Sequence, residues 1–157
     1  MKRVFFSFHF QRDAFKVGQI RNSWVGNRAF EGQPYLDKAA WETIERRGAA
    51  AVRNWIDTQM NGTSVTIVLI GAETLQRPWV KYEMAKTIER KAGLIGISLT
   101  GMKNIDQLVE FKQSSVSGSP FEYKAFGAHY PVYNWVNDNG RANLGAWIDA
   151  AARSVGR

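Results

Sequence analysis

Apolar positions along the chain fall into short continuous runs separated by stripes at helical spacing. Residues 4–10 are Phe-rich and suit a buried strand. The spacing of Phe15, Ile20 and Trp24 predicts a helix over 13–24, with Asp13 placed to start or cap it. Residues 26–37 hold Gly32 and Pro34 and few periodic apolars, which predicts loop with at most one short strand. Ile44, Val52, Trp55, Ile56 and Met60 align as one long helix over 38–60, closed by Asn61-Gly62. Residues 65–70 form an unbroken β-branched and Leu run, the mark of a strand covered on both faces. A helix over 74–92 follows, with Pro78 in its first turn and Gly93 closing it. A strand is then expected over 94–99. Residues 100–127 are Ser- and Gly-rich around 114–120 and read as a flexible stretch. A late strand over 131–135 enters the turn cluster Asn137-Asp138-Asn139-Gly140, and Leu144, Trp147, Ile148 and Ala151 mark a closing helix.

Strands alternating with helices imply an α/β fold: a mostly parallel sheet with helices on both faces, built as a single domain over residues 1–157. Ligands of such folds sit beyond the carboxyl ends of the strands. Here those ends are residues 7–10, 71–74 and 99–101.

Composition narrows the chemistry. With 45% hydrophobic residues and six Trp, the chain has enough apolar surface to fold rather than stay disordered. No apolar run reaches the roughly 18–20 residues that span a bilayer, and residues 4–6 are too short for a signal-peptide core. A cytoplasmic protein without membrane attachment is expected. The absence of Cys removes disulfides, thiol nucleophiles and Cys-based zinc sites, and His9 and His129 form no metal-ligand spacing, so no metal site is expected. The net charge of +7 favours anionic partners, but the cations are spread along the chain rather than gathered in a stripe, which argues against nucleic acid. No glycine-rich phosphate loop and no G-x-S-x-G elbow occur. Gly71-Ala72 stands where a phospho-accepting receiver would carry Asp.

The carboxylate of interest is Glu83. On a helix it projects between Trp79 and Val80, within the apolar arc that Met84 and Ile88 continue. A carboxylate in that position is costly unless it is paired or used. The plain alternatives are an (i, i+3) pair with Lys86 or exposure at the helix edge. Phe5, Ser7 and His9 share one side of the first strand and its exit, so Ser7 and His9 can meet a phosphate or hydroxyl, whereas Phe5 also suits the core. Trp41 and Trp79 can stack on a flat ring or fill the core. Asp37 lies in the polar stretch before the second helix and is either a pocket residue or part of a solvated connection.

Four segments, in order, resemble the TIR-like domains of Thoeris anti-phage defence systems. They are Val4-Phe5-Phe6-Ser7-Phe8-His9-Phe10, the stretch from Asn61 through Gly71, Trp79-Val80-Lys81-Tyr82-Glu83, and Tyr133-Asn134-Trp135-Val136-Asn137-Asp138. The resemblance implies a flavodoxin-like TIR fold with about five strands and cleavage of the nicotinamide–ribose bond of NAD+, with Glu83 as catalytic residue. Phe5, Ser7, His9, Asp37, Trp41 and Trp79 are then the substrate-binding candidates. In TIR enzymes this Glu ends a Ser-x-x-Trp-Cys-x-x-Glu pattern; here Gln76 and Val80 replace Ser and Cys, while Trp79 and Glu83 keep their spacing. Nicotinamide leaves as a neutral group and needs no acid, but the sugar becomes oxocarbenium-like and calls for a carboxylate. NAD+ is thus substrate, with no added cofactor. The implied product is a signalling nucleotide, cyclic where water is excluded, read by a separate effector protein. Self-association on activation is also implied. The alternative is a non-catalytic TIR-type interaction module.

Overall fold

In the computed structural model, which describes residues 2–24, 30–32, 38–102 and 123–157, five strands form one all-parallel sheet. They are β1 (Lys2–Ser7), β2 (Phe30–Glu31), β3 (Val65–Ile70), β4 (Gly93–Ser98) and β5 (Val132–Asn134), in the order β2-β1-β3-β4-β5. The helices are α1 (Phe10–Trp24), α2 (Lys38–Arg46), α3 (Ala49–Met60), α4 (Pro78–Glu89), α5 (Tyr123–His129) and α6 (Gly140–Ser154). This is the parallel α/β sheet expected from the alternation, in the flavodoxin-like form that the resemblance implies. The order reverses at β1, so the crevice between the carboxyl ends of β1 and β3 is the topological switch point where ligands of such sheets bind.

Every residue of β3 and of β4 is buried, as unbroken apolar runs require when helices cover both faces. Ile67, Leu69, Ile95 and Ile97 join Val17 and Ile20 of α1 and Leu144 and Ile148 of α6. The alternate residues Val68 and Ile70 pack with Val80 and Met84 of α4 and Phe126 of α5. Burying each such side chain contributes roughly 1.5–3 kcal/mol. Register sets which side chains of β1 meet α4: Phe5 lies opposite Thr66 and Ser7 opposite Val68.

Several boundaries differ from the sequence reading, each for a local reason. β1 stops at Ser7 and α1 begins at Phe10, so Phe8–Phe10 are not strand. Asp13 is therefore inside α1 rather than its cap; its buried carboxylate accepts a 3.2 Å hydrogen bond from Thr74 Oγ1, which in turn accepts from the Gly71 amide at 2.8 Å. A Cβ at Gly71 would collide with that carboxylate, which is why the exit of β3 carries glycine. The long helix over 38–60 is two helices, broken at Gly48, whose φ of 101° is open to glycine at little steric cost. The helix over 74–92 resolves into a 3₁₀ turn, Thr74–Gln76, followed by α4 with Pro78 in its first turn. Gly93 belongs to β4, and Lys91, at φ 56°, makes the left-handed exit from α4 instead. Most of the stretch read as flexible lies outside the described residues, but its end forms α5. Among the described residues no helix is long and apolar enough to cross a membrane.

Candidate active site

β1 and α4 bring Ser7 and Glu83 together across 76 residues of sequence. Ser7, fully buried at the carboxyl end of β1, donates a 2.9 Å hydrogen bond from Oγ to Glu83 Oε1. Glu83 sits in the second turn of α4 and is only 5% exposed. Burial drives its carboxyl up to about 8, and the Ser7 hydroxyl works in the opposite direction by favouring the charged form. At neutral pH the resting group therefore holds a proton. One turn further along, Thr87 Oγ1 donates to the Glu83 carbonyl at 2.8 Å and lies 2.7 Å from Thr66 Oγ1 on β3. This polar seam fixes the register of α4 on the sheet, and with it the height of Glu83 above Ser7.

Beside this pair opens a cleft of about 360 Å³ including its solvent-facing mouth. Phe8, Phe10, Trp41 and Trp79 supply its aromatic surface. Phe10 and Trp41 stack at 4.5 Å with 8° between their planes, and Trp55 meets Trp41 edge-on at 5.7 Å. His9 lines the same cleft, with Nδ1 3.9 Å from the Glu73 carboxylate. Arg77 and Glu45 add opposite charges to its walls. Val80, three residues before Glu83 on the same helix, lines the cleft, whereas the buried Glu83 does not.

Of the residues singled out by sequence, Ser7 and Glu83 are hydrogen-bonded to each other, and His9, Trp41 and Trp79 converge on the cleft. Phe5 is placed elsewhere: it is 1% exposed and packs edge-on against Trp55 at 6.5 Å, in the core under α3. Asp37 lies outside the described residues. Neither plain alternative for Glu83 holds: it is buried, and Lys86 Nζ lies 3.2 Å from Asp57 of α3 instead. Sequence reasoning passed over Phe8, Phe10, Glu45 and Arg77. Two signals were available: Arg77-Pro78 opens the helix that carries Trp79, and Glu45 follows Trp41 by one turn. Among the described residues no group of three His, Cys, Asp or Glu side chains could hold a metal ion.

A five-stranded parallel sheet with a buried, serine-held glutamate at its switch point defines a TIR-like domain of the flavodoxin-like class. Residues 5–104 match the family described as Thoeris protein ThsB, TIR-like domain, and the chain belongs to that family. It is also 36% identical over 141 residues to a Bacillus cereus (strain MSX-D12) protein whose name reads "Putative cyclic ADP-D-ribose synthase ThsB1". That similarity covers 86% of this chain and 71% of the relative.

Proposed function

We propose that this protein cleaves the nicotinamide–ribose bond of NAD+ and forms a cyclic ADP-ribose-type signalling nucleotide in Thoeris anti-phage defence. The observation that carries the reading is the buried Ser7–Glu83 pair behind an aromatic cleft at the switch point. The naming of the B. cereus relative as a cyclic ADP-D-ribose synthase supports the product class.

The chemistry follows from charge. The nicotinamide ring of NAD+ is a cation that becomes neutral as its bond to ribose breaks, so positive charge moves onto the sugar. A carboxylate fixed beneath the ribose complements that charge without reorganising. The substrate also readies the acid: a pyridinium entering beside Glu83 favours its ionised form, opposing the burial that holds the proton at rest. Ser7 keeps the carboxylate aimed through one oxygen and leaves the other for the ribose hydroxyls. The aromatic walls limit water near the sugar cation, which favours capture by another nucleophilic atom of the same molecule and hence ring closure. No step requires a cofactor besides the substrate itself. The product is read by a separate effector protein, turnover depends on self-association of the TIR-like domain, and the protein works in the cytoplasm.

Purified protein incubated with NAD+ at several concentrations, alongside Glu83→Gln, tests this reading by chromatography with mass detection. Nicotinamide release lost in Glu83→Gln is the expected result, and the mass of the ribosyl product separates hydrolysis from cyclisation. A folded Glu83→Gln protein with wild-type turnover would overturn it. The enclosed position of Glu83 behind the cleft wall is what favours the second reading, a TIR-type interaction module without catalysis. Defence in cells that survives Glu83→Gln would select that module.

A further inference from the structure

Arg77 and Glu45 stand on the walls of the aromatic cleft with opposite charges, Arg77 immediately before α4 and Glu45 on α2. Among the described residues neither side chain makes a hydrogen bond or ion pair, with the other or with any neighbour. Several other cations of this chain are put to structural use. Arg3 donates to the Asn61 carbonyl, Arg90 to Thr63, and Arg157 to the carbonyls that end α4. An arginine left unpaired beside an aromatic surface is different, because its fork of donors is available to a phosphate.

We propose that Arg77 and Glu45 are the specificity residues of the cleft: Arg77 binds the diphosphate of the dinucleotide, and Glu45 accepts an unmodified ribose diol while repelling a ribose that carries a phosphate. This rests on the NAD+ reading above. Arg77 lies six residues before Glu83, about 9 Å along the helix axis at 1.5 Å per residue. In NAD+ one ribose ring and its methylene separate the scissile carbon from the first phosphorus, so a ribose seated at Glu83 directs the diphosphate towards Arg77. Trp41 and Glu45 are neighbours on one face of α2, which puts the carboxylate on the cleft wall beside the buried Trp41. A carboxylate accepts hydrogen bonds from two adjacent hydroxyls, whereas a phosphate there would place like charges together.

The test is steady-state nicotinamide release from NAD+ and NADP+ by wild type, Arg77→Ala, Arg77→Lys and Glu45→Gln. It is paired with calorimetric binding of ADP-ribose at several salt concentrations. Arg77→Ala is expected to raise KM for NAD+ about 10- to 100-fold with kcat little changed, as loss of a charge-assisted phosphate contact implies. ADP-ribose affinity should fall by a similar factor and lose part of its salt dependence, with Arg77→Lys recovering part of both. Glu45→Gln is expected to raise the NADP+ to NAD+ ratio of kcat/KM about tenfold. If wild type releases nicotinamide while Arg77→Ala keeps wild-type KM and ADP-ribose affinity, the role of Arg77 is overturned and the NAD+ reading stands. An unchanged substrate ratio in Glu45→Gln overturns the role of Glu45. A wild type that neither cleaves NAD+ nor binds ADP-ribose overturns the NAD+ reading, and this assignment with it.

Discussion

Tyr82 and Glu83 are adjacent on α4, yet they belong to two polar sites with opposite physics. On the outer side, Tyr82 donates a 2.7 Å hydrogen bond to Asp57 of α3, and Lys86 approaches the same carboxylate at 3.2 Å. Burial acts to raise Asp57, but the hydrogen bonds from Tyr82 and Lys86, with the charges of Lys86 and Arg53, outweigh it and hold the group below the usual carboxylate range. On the inner side, Glu83 has among the described residues a single hydroxyl donor and no cation to offset its burial, and its carboxyl rises to about 8. The difference shows what separates a tie from a reactive group. The outer carboxylate is matched by donors and stays ionised, whereas the inner one is left short of them, so its charge state waits on what enters the cleft.

The comparison breaks most decisively at the two acids themselves. Glu83→Gln is expected to lower nicotinamide release by at least about 100- to 1,000-fold, the scale of losing a preorganised electrostatic group. Asp57→Asn should leave it within about twofold. Equal losses in chromatographic assays of the two variants would erase the distinction.

Stability against pH gives the next largest effect. The folded chain holds the Glu83 proton up to about 8, while an ordinary glutamate releases it near 4.5. The native state thus binds the proton more tightly. Its contribution to stability is complete below the lower value and is lost as pH rises through the higher one, at up to about 1.4 kcal/mol per pH unit. Denaturant titrations should show wild type losing, on the order of a few kcal/mol, stability relative to Glu83→Gln across that window. Parallel curves for the two proteins would mean that Glu83 is not held protonated.

Ser7→Ala sharpens the same point. Removing the hydroxyl takes away the hydrogen bond that favours the carboxylate, so the ascending limb of kcat/KM against pH should move to higher pH. The rate loss should be about tenfold or more at neutral pH and shrink as the medium becomes alkaline, as a lost hydrogen bond to a charged group implies. A loss independent of pH would make Ser7 a packing residue only. The smallest effect is expected at the outer site, where Lys86→Ala should destabilise by no more than about 1 kcal/mol, since that ion pair is partly open to solvent. A larger loss on thermal unfolding would give the outer carboxylate more structural weight than its exposure allows.

The fold was legible wherever pattern alone decides structure. The β-branched run of β3 and the stripe of α6 needed no partner to be read. The break at Gly48 was hidden because Ile44 and Val52 stay in helical phase across it, and periodicity does not register a change of axis. The switch from β1 to α1 was obscured by the Phe residues at positions 6, 8 and 10, which suit strand and helix start alike. Glu83 stood out as an acid inside an apolar arc, and the structure buries it there. Its partner was not legible, because Ser7 is near only after β1 pairs with β3 and α4 packs on the sheet. Arg77 and Glu45 were invisible for the same reason: each looks like an ordinary surface charge until two distant helices place them on one cleft.

The parallel topology also determines when this chemistry can first exist. Ser7 is made 76 residues before Glu83, but β1 gains a central neighbour only when β3 has been made, and α4 comes later still. Until α4 is made, Ser7 has no Glu83 to hold. A nascent chain that stops short of α4 therefore lacks the acid altogether, and the reactive arrangement exists only once α4 packs on the sheet. For a protein whose activity would consume a dinucleotide the cell depends on, such late assembly keeps unfinished copies harmless.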